Sequence, residues 1–188
     1  MLRISLLIVA LLLQVTIVTV MIVKAVMPIW NGRETLFMAQ PVDPRDIMRG
    51  DYVALNYEFN SILPHRMKTD LAPGSVVRGN EYLFVTIRMS DTGAVPTGIF
   101  RSTPVGEQFI KGRSGQTQIV PETDQDASYH AIDMSYGIEE FYTDSETAQA
   151  LDDELQKGKK IPVVVMIDAE GNARIRSVAR ASQTPHSK

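Results

Sequence analysis

Three carboxylates fall within nine residues in the stretch Asp43-Pro44-Arg45-Asp46-Ile47-Met48-Arg49-Gly50-Asp51. Carboxylates that close could serve as a general acid and a general base. The chemistry would be hydrolytic, with Asp43, Asp46 and Asp51 as the working groups. Every residue here also has turn work available. Asp43 before Pro44 suits turn initiation, because its carboxylate accepts backbone N–H bonds while proline fixes φ at the next position. Gly50 supplies positive φ where a strand begins. Arg45 or Arg49 can pair with Asp43, Asp46 or Asp51 and tie the loop shut, although an exposed pair contributes only ~0–1 kcal/mol. Turn chemistry accounts for most of the stretch. No residue in it is singled out as catalytic, and the sequence supplies no substrate pocket.

Other chemistries are thinly provided. The chain has no cysteine, which excludes disulfides, thiol nucleophiles and cysteine-based zinc sites. His65, His130 and His186 lie far apart and lack the short spacing of metal ligands. Neither a metal nor another cofactor is expected. A second group of interest is Tyr136-Gly137-Ile138-Glu139-Glu140-Phe141-Tyr142. Read as a strand, it puts Tyr136, Ile138, Glu140 and Tyr142 on one face and Gly137, Glu139 and Phe141 on the other. Buried aromatics are the plainer account. The sharper one is a partner-binding patch drawn from Tyr52, Tyr57, Tyr136 and Tyr142, with Tyr52 and Tyr142 exposed, since tyrosine gives contact area with a hydrogen-bonding tip.

The elements that must position these residues are mostly strands. In Asp51 to Phe59, Val53, Leu55, Tyr57 and Phe59 alternate with Tyr52, Ala54, Asn56 and Glu58, the period of a strand with one buried face. Ser61 to Asn80 reads as a loop, with a helical turn near Met67 to Leu71. Glu81 to Met89 and Ala94 to Arg101 form a hairpin across Asp91-Thr92-Gly93. Further strands are expected at Gln108 to Lys111 or on to Arg113, at Gln116 to Val120 and at Ser128 to Met134. Thr143-Asp144-Ser145-Glu146 reads as a capping box, and Ala148, Leu151 and Leu155 make an apolar stripe ending at Gly158. Ile161 to Ile167 is a continuous apolar run, as in a central strand covered on both faces. It returns through Asp168 to Asn172 into a terminal hairpin with Ala173 to Val178.

All of this follows a membrane segment. Ile4 to Val23 carries no charge, and at 1.5 Å per residue it spans the ~30 Å hydrocarbon core. The run is longer than the ~7–15 apolar residues of a cleaved signal peptide and lacks an A-x-A site. It reads as an uncleaved transmembrane helix. Lys24 and Trp30 suit its interfacial end. Gln14, Thr16 and Thr19 are the polar side chains deep in the span, available to pack on another helix or, for the threonines, to bond their own backbone. Setting aside Arg3, Lys24 and Arg33 leaves 16 of the 19 basic residues against 22 acidic ones, a charge of −6 on the remainder. That balance argues against nucleic acid or an anionic lipid surface as partner.

Gly50-Asp51-Tyr52-Val53-Ala54-Leu55-Asn56-Tyr57 fits at every specified position the pattern that gives the GDYXXLXY family its name. The approach Pro41 to Arg49, Pro-x-Asp-Pro-Arg-x-x-x-Arg, and the Tyr136 to Tyr142 segment also resemble that family, in order and over most of the region after the anchor. The resemblance implies an N-terminal membrane anchor, a small β-rich extracytoplasmic domain and company with multi-spanning membrane proteins, but no activity. The proline-rich approach, Gly-Asp and apolar strand are similar to those of type I signal peptidases as well. Their serine nucleophile lies three residues before the proline of that approach. That slot here is Pro41, which has no hydroxyl, so an acyl-enzyme mechanism lacks its first step.

The expected protein is α+β: a transmembrane anchor over 1–30, a linker over 31–38, a mostly antiparallel β-rich domain with one clear helix and a C-terminal hairpin over 39–180, and a frayed tail over 181–188. Its expected place is the bacterial cytoplasmic membrane, single-pass, with the domain outside. Its expected role is a binding accessory to a multi-spanning partner. The other classes are an envelope hydrolase using the Asp43, Asp46 and Asp51 carboxylates and a ligand-binding envelope sensor.

Overall fold

The N-terminal helix runs past its apolar stretch and almost directly into the sheet. In the computed structural model, which describes residues 2–40, 52–120 and 131–179, α1 spans Leu2–Asn31. Its side chains are described from Ile8 to Val23, at Val26 and from Ile29 to Asn31. On the described residues alone no helix is long and apolar enough to cross a membrane. The stretch Ile8 to Val23 reaches about 24 Å at 1.5 Å per residue.

Only Gly32 separates α1 from β1 (Arg33–Ala39). The expected linker over 31–38 is therefore corrected to a strand. β1 pairs antiparallel with β12 (Ile161–Ile167) over its whole length, from Arg33 opposite Ile167 to Ala39 opposite Ile161. The local sequence Arg-Glu-Thr-Leu-Phe-Met-Ala carries the alternation: Thr35, Phe37 and Ala39 are buried and the residues between them are not. Burying Phe37 alone contributes roughly 1.5–3 kcal/mol. β12 lies between β1 and β13 (Ala173–Val178), as its apolar run predicts, and six of its seven residues are buried.

A second sheet has six strands in the order β3 (Ser61–Ile62), β10 (Ile132–Ser135), β8 (Phe109–Ser114), β6 (Tyr82–Ser90), β7 (Gly93–Phe100) and β4 (Lys68–Thr69). β6 and β7 form the predicted hairpin, with Ser90 opposite Gly93. Among the described residues β4 with β7 is the one parallel pair, so the antiparallel expectation holds in the main. Two short ribbons complete the strands. β2 (Tyr52–Ala54) pairs with β11 (Glu140–Tyr142), and β5 (Val76–Val77) pairs with β9 (Gln118–Ile119).

The helical turn in the Ser61 to Asn80 loop falls at Pro64–Arg66 rather than at Met67 to Leu71, where Pro64 opens the turn and Lys68 already pairs with β7. α2 (Ser145–Gln156) buries Ala148, Leu151 and Leu155 as the stripe predicts, against β2 and β12. Its cap is Asp144 rather than Thr143. The Asp144 carboxylate accepts from Thr147 N at 2.9 Å, and that bond holds its carboxyl below the usual range. Gly158 stops the helix with φ of 75°.

The strand expected from Asp51 to Phe59 is shorter than its alternation. Val53, Leu55, Tyr57 and Phe59 are all buried, yet described ladder pairing ends at Ala54 and a 3-10 turn occupies Glu58–Asn60. Asn56 bridges back to Gln40. This bend drives three rings together. Phe59 stacks on Tyr57 with centroids 5.2 Å apart, and Phe37 of β1 meets both, at 4.7 and 5.9 Å. Tyr136 closes the group edge-on to Phe59 at 5.0 Å.

Candidate functional site

The Tyr136 to Tyr142 segment does not run as one strand. It turns at Gly137, with φ of 75°, and enters β11 only at Glu140. Glu139 holds that turn. Its carboxylate accepts from Tyr136 N (2.5 Å), Gly137 N (2.8 Å), Ile138 N (3.1 Å), Ser135 Oγ (3.2 Å) and Asn60 Nδ2 (3.2 Å). A carboxylate shared among so many donors is a structural anchor, because its lone pairs are already taken up by the backbone. Asn60 also links Met134 O and Tyr57 N, at 2.9 and 2.7 Å. Sequence reasoning missed both residues as key positions. The available signal was local: a carboxylate two residues beyond a glycine, placed to cap the turn that the glycine makes.

The last tyrosine of the named motif sits against the same turn. Tyr57 is 2% exposed and donates to Ile138 O at 2.9 Å, while Tyr136 is 6% exposed and donates to Phe59 O at 2.7 Å. Burial, and then the Glu139 charge, push both phenols well above their ordinary range, so they stay neutral donors. Tyr57 and Tyr136 are therefore corrected from partner-binding residues to core fasteners. Gly112 belongs to the same packing: a Cβ there would lie 2.7 Å from the Tyr136 ring.

The other two tyrosines do meet. Tyr52 and Tyr142 are directly opposite in the β2–β11 ribbon, and their rings lie 5.6 Å apart at 40°. Tyr52 is half-buried, whereas Tyr142 is 69% exposed. Tyr142 donates to Glu140 Oε2 at 2.6 Å, and that bond, then the carboxylate's charge, raises its pKa. The pair offers contact area and a charged hydrogen-bonding edge.

Within α1, Thr16 and Thr19 donate to Leu12 O and Val15 O, each at 2.8 Å, so both hydroxyls are satisfied by their own helix. Gln14 is exposed. The turn residues Asp43, Pro44, Arg45, Arg49, Gly50 and Asp51, together with Asp46, lie outside the described residues. So do His130 and His186. Among the described residues no group of three or more histidines and carboxylates is arranged to hold a metal ion.

Leu55 and Tyr57 point into the core, and Leu55 N is bonded to Glu139 O at 2.7 Å. The motif and the Tyr136 to Tyr142 segment are thus two sides of one interlocked unit. The family model described as GDYXXLXY protein matches residues 14–178. The chain belongs to the GDYXXLXY family. No curated protein and no solved structure matches it. Membership gives the motif positions described here a meaning in this fold: Leu55 and Tyr57 build the core, and Tyr52 looks outward beside Tyr142.

Proposed function

We propose that this GDYXXLXY protein is a single-pass accessory of the bacterial cytoplasmic membrane, anchored by α1, with the domain outside and a partner-binding surface at Tyr52 and Tyr142. The observation that carries the reading is α1 itself. Twelve large apolar side chains between Ile8 and Val23 stand 48–67% exposed, on every side of the helix. A helix that is apolar all round needs an apolar surrounding. In the sequence the charge-free run reaches back to Ile4, which brings its length to that of a bilayer core.

The partner is a multi-spanning membrane protein of the kind that accompanies this family. A domain tied to the helix through Gly32 alone has little slack, so its binding surface stays close to the membrane and to whatever stands beside the anchor. Two measurements test the reading. Alkaline extraction of membranes should leave the full-length chain in the pellet, and release into the supernatant would reject the anchor. A photocrosslinker at Tyr142 should capture a membrane protein that the same crosslinker at Lys159, an exposed residue beyond α2, does not. Equal capture at both positions would reject the tyrosine surface.

A further inference from the structure

One edge of β8 is shared between two neighbours. Ser114 and Arg113 pair with Met134 and Ser135 of β10, while lower down Lys111 N donates to Gly171 O at 2.8 Å, in the turn between β12 and β13. Gly171 is required there: its φ is 83°, and a Cβ would lie 2.7 Å from the Phe109 ring. Where β10 and the turn diverge, a cleft of about 640 Å³ opens. That volume falls in the range of small-ligand sites.

Three cations converge on it, Lys111, Arg113 and Arg174. Lys111 Nζ and Arg113 Cζ lie 4.5 and 4.6 Å from the centroid of the Tyr82 ring, whose π-face holds them near one another. The ion pairs of the described residues are Lys68–Glu107, Arg101–Glu81 and Arg176–Glu34, and none involves these three; Arg113 donates to neutral groups, Asn80 Oδ1 at 3.1 Å and the Tyr82 hydroxyl, and Arg174 to Ala173 O at 3.1 Å. Two carboxylates also line the cleft. Asp168 is committed to its own turn, accepting from Glu170 N, Asn172 N and Asn172 Nδ2 at 2.8–2.9 Å. Glu170 accepts from Asn172 Nδ2 at 3.4 Å. Three cations thus share the cleft with two carboxylates, one of them already spent on its own turn, in a chain whose net charge is −3.

We infer that this cleft binds a phosphate-bearing anion, with Arg174, Arg113 and Lys111 as its ligands. Phosphate oxygens match the planar fork of a guanidinium and the point charge of an ammonium. The cleft exceeds a bare phosphate and leaves room for an ester group. The source of the phosphate is either a soluble ester or a lipid headgroup. Ile167 pairs with Arg33, two residues beyond the end of α1, so the cleft-lining turn that starts at Asp168 stands at the helix end of the sheet. The headgroup source rests on the membrane reading above; the anion site does not.

The test uses full-length protein in alkyl maltoside micelles, titrated with inorganic phosphate and followed by ³¹P line broadening. Saturable broadening is expected, with affinity at least tenfold weaker in a Lys111→Gln/Arg174→Gln variant of unchanged melting temperature. Should that variant melt early, Arg174→Gln alone keeps the Lys111–Tyr82 contact and should still weaken binding severalfold. Doping the micelles with phosphatidylglycerol should raise the apparent Kd for phosphate if the headgroup reaches the cleft, and should leave it unchanged if the ligand is a soluble ester. No saturable broadening, or broadening equal in the folded variants, overturns the site. A chain that alkaline extraction releases would remove the headgroup source and leave the phosphate titration standing.

Discussion

The Tyr57 hydroxyl donates to the carbonyl of Ile138, 81 residues away, at 2.9 Å. Tyr136 returns the bond to Phe59 O across the same seam. The motif strand and the glycine turn are thereby fastened at two points, with Glu139 and Asn60 between them. Each phenol keeps its proton because the surroundings are apolar, so the fastening is insensitive to pH across the ordinary range.

Tyr57→Phe should cost about 1–3 kcal/mol, because it leaves the Ile138 carbonyl buried without its donor. Tyr136→Phe should cost a similar amount. The two act on one seam, so the double variant should depart from additivity by more than ~0.5 kcal/mol. Urea unfolding of the three variants measures this, and simple additivity would show that the two bonds are independent.

Glu139→Ala should be the more damaging change, by roughly 3 kcal/mol or more, since it strips one carboxylate from five donors. Glu139→Gln keeps one acceptor oxygen and should fall between. Amide exchange at Tyr136, Gly137 and Ile138 should accelerate in Glu139→Ala ahead of the rest of the domain. Unchanged exchange there would remove Glu139 from the role assigned to it.

Gly112→Ala should cost about 1–3 kcal/mol by overpacking, since the Tyr136 ring is pinned by its own hydroxyl and cannot simply swing away. Adding Tyr136→Leu should recover part of the loss. A Gly112→Ala chain as stable as the parent would mean that the ring has room the packing does not suggest.

A chain beginning at Gly32 should fold, and one beginning at Ala39 should not. The second lacks most of β1, and with it the buried Thr35 and Phe37 and one whole neighbour of the central strand β12. Circular dichroism and a cooperative melt distinguish the two. A cooperative transition in the shorter chain would return residues 33–38 to the status of a tether.

Acid should loosen the corner around Arg101. Asp70 accepts from Arg101 N, Ser102 N and Ser102 Oγ, at 2.7–3.1 Å, and Glu81 accepts from Arg78 N at 2.9 Å and from Arg101 Nε at 2.8 Å. Burial pushes both carboxyls up, but these bonds outweigh it and hold them below their usual values. A depressed folded pKa contributes stability that is present above the unfolded value of roughly 4 and lost as pH falls through the folded one. Asp70→Asn and Glu81→Gln should therefore lower the melting temperature at pH 7 and flatten its fall in acid. An acid limb identical to the parent's would assign the loss to other groups.

Much of this architecture was legible in local sequence. The α1 run, the β6–β7 and β12–β13 hairpins, the α2 stripe and the burial of Val53, Leu55, Tyr57 and Phe59 all follow from periodicity and turn chemistry, which act between neighbours in the chain. The same local rules misplaced the α2 cap by one residue and drew a strand through Gly137, where a capped turn fits as well. They also read Arg33 to Ala39 as a tether, because an edge strand of seven residues is recognisable only beside its partner.

By itself the sequence determined an apolar N-terminal helix, a strand-dominated domain and the composition of its core face. Tertiary structure alone decided that β1 pairs with a strand more than 120 positions further on, that Tyr52 and Tyr142 share a surface while Tyr57 and Tyr136 do not, and that three cations from two sheets meet in one cleft. The reason is physical: side-chain period and turn preference are properties of a few adjacent residues, whereas register, burial and charge convergence depend on which distant segments the core brings into contact.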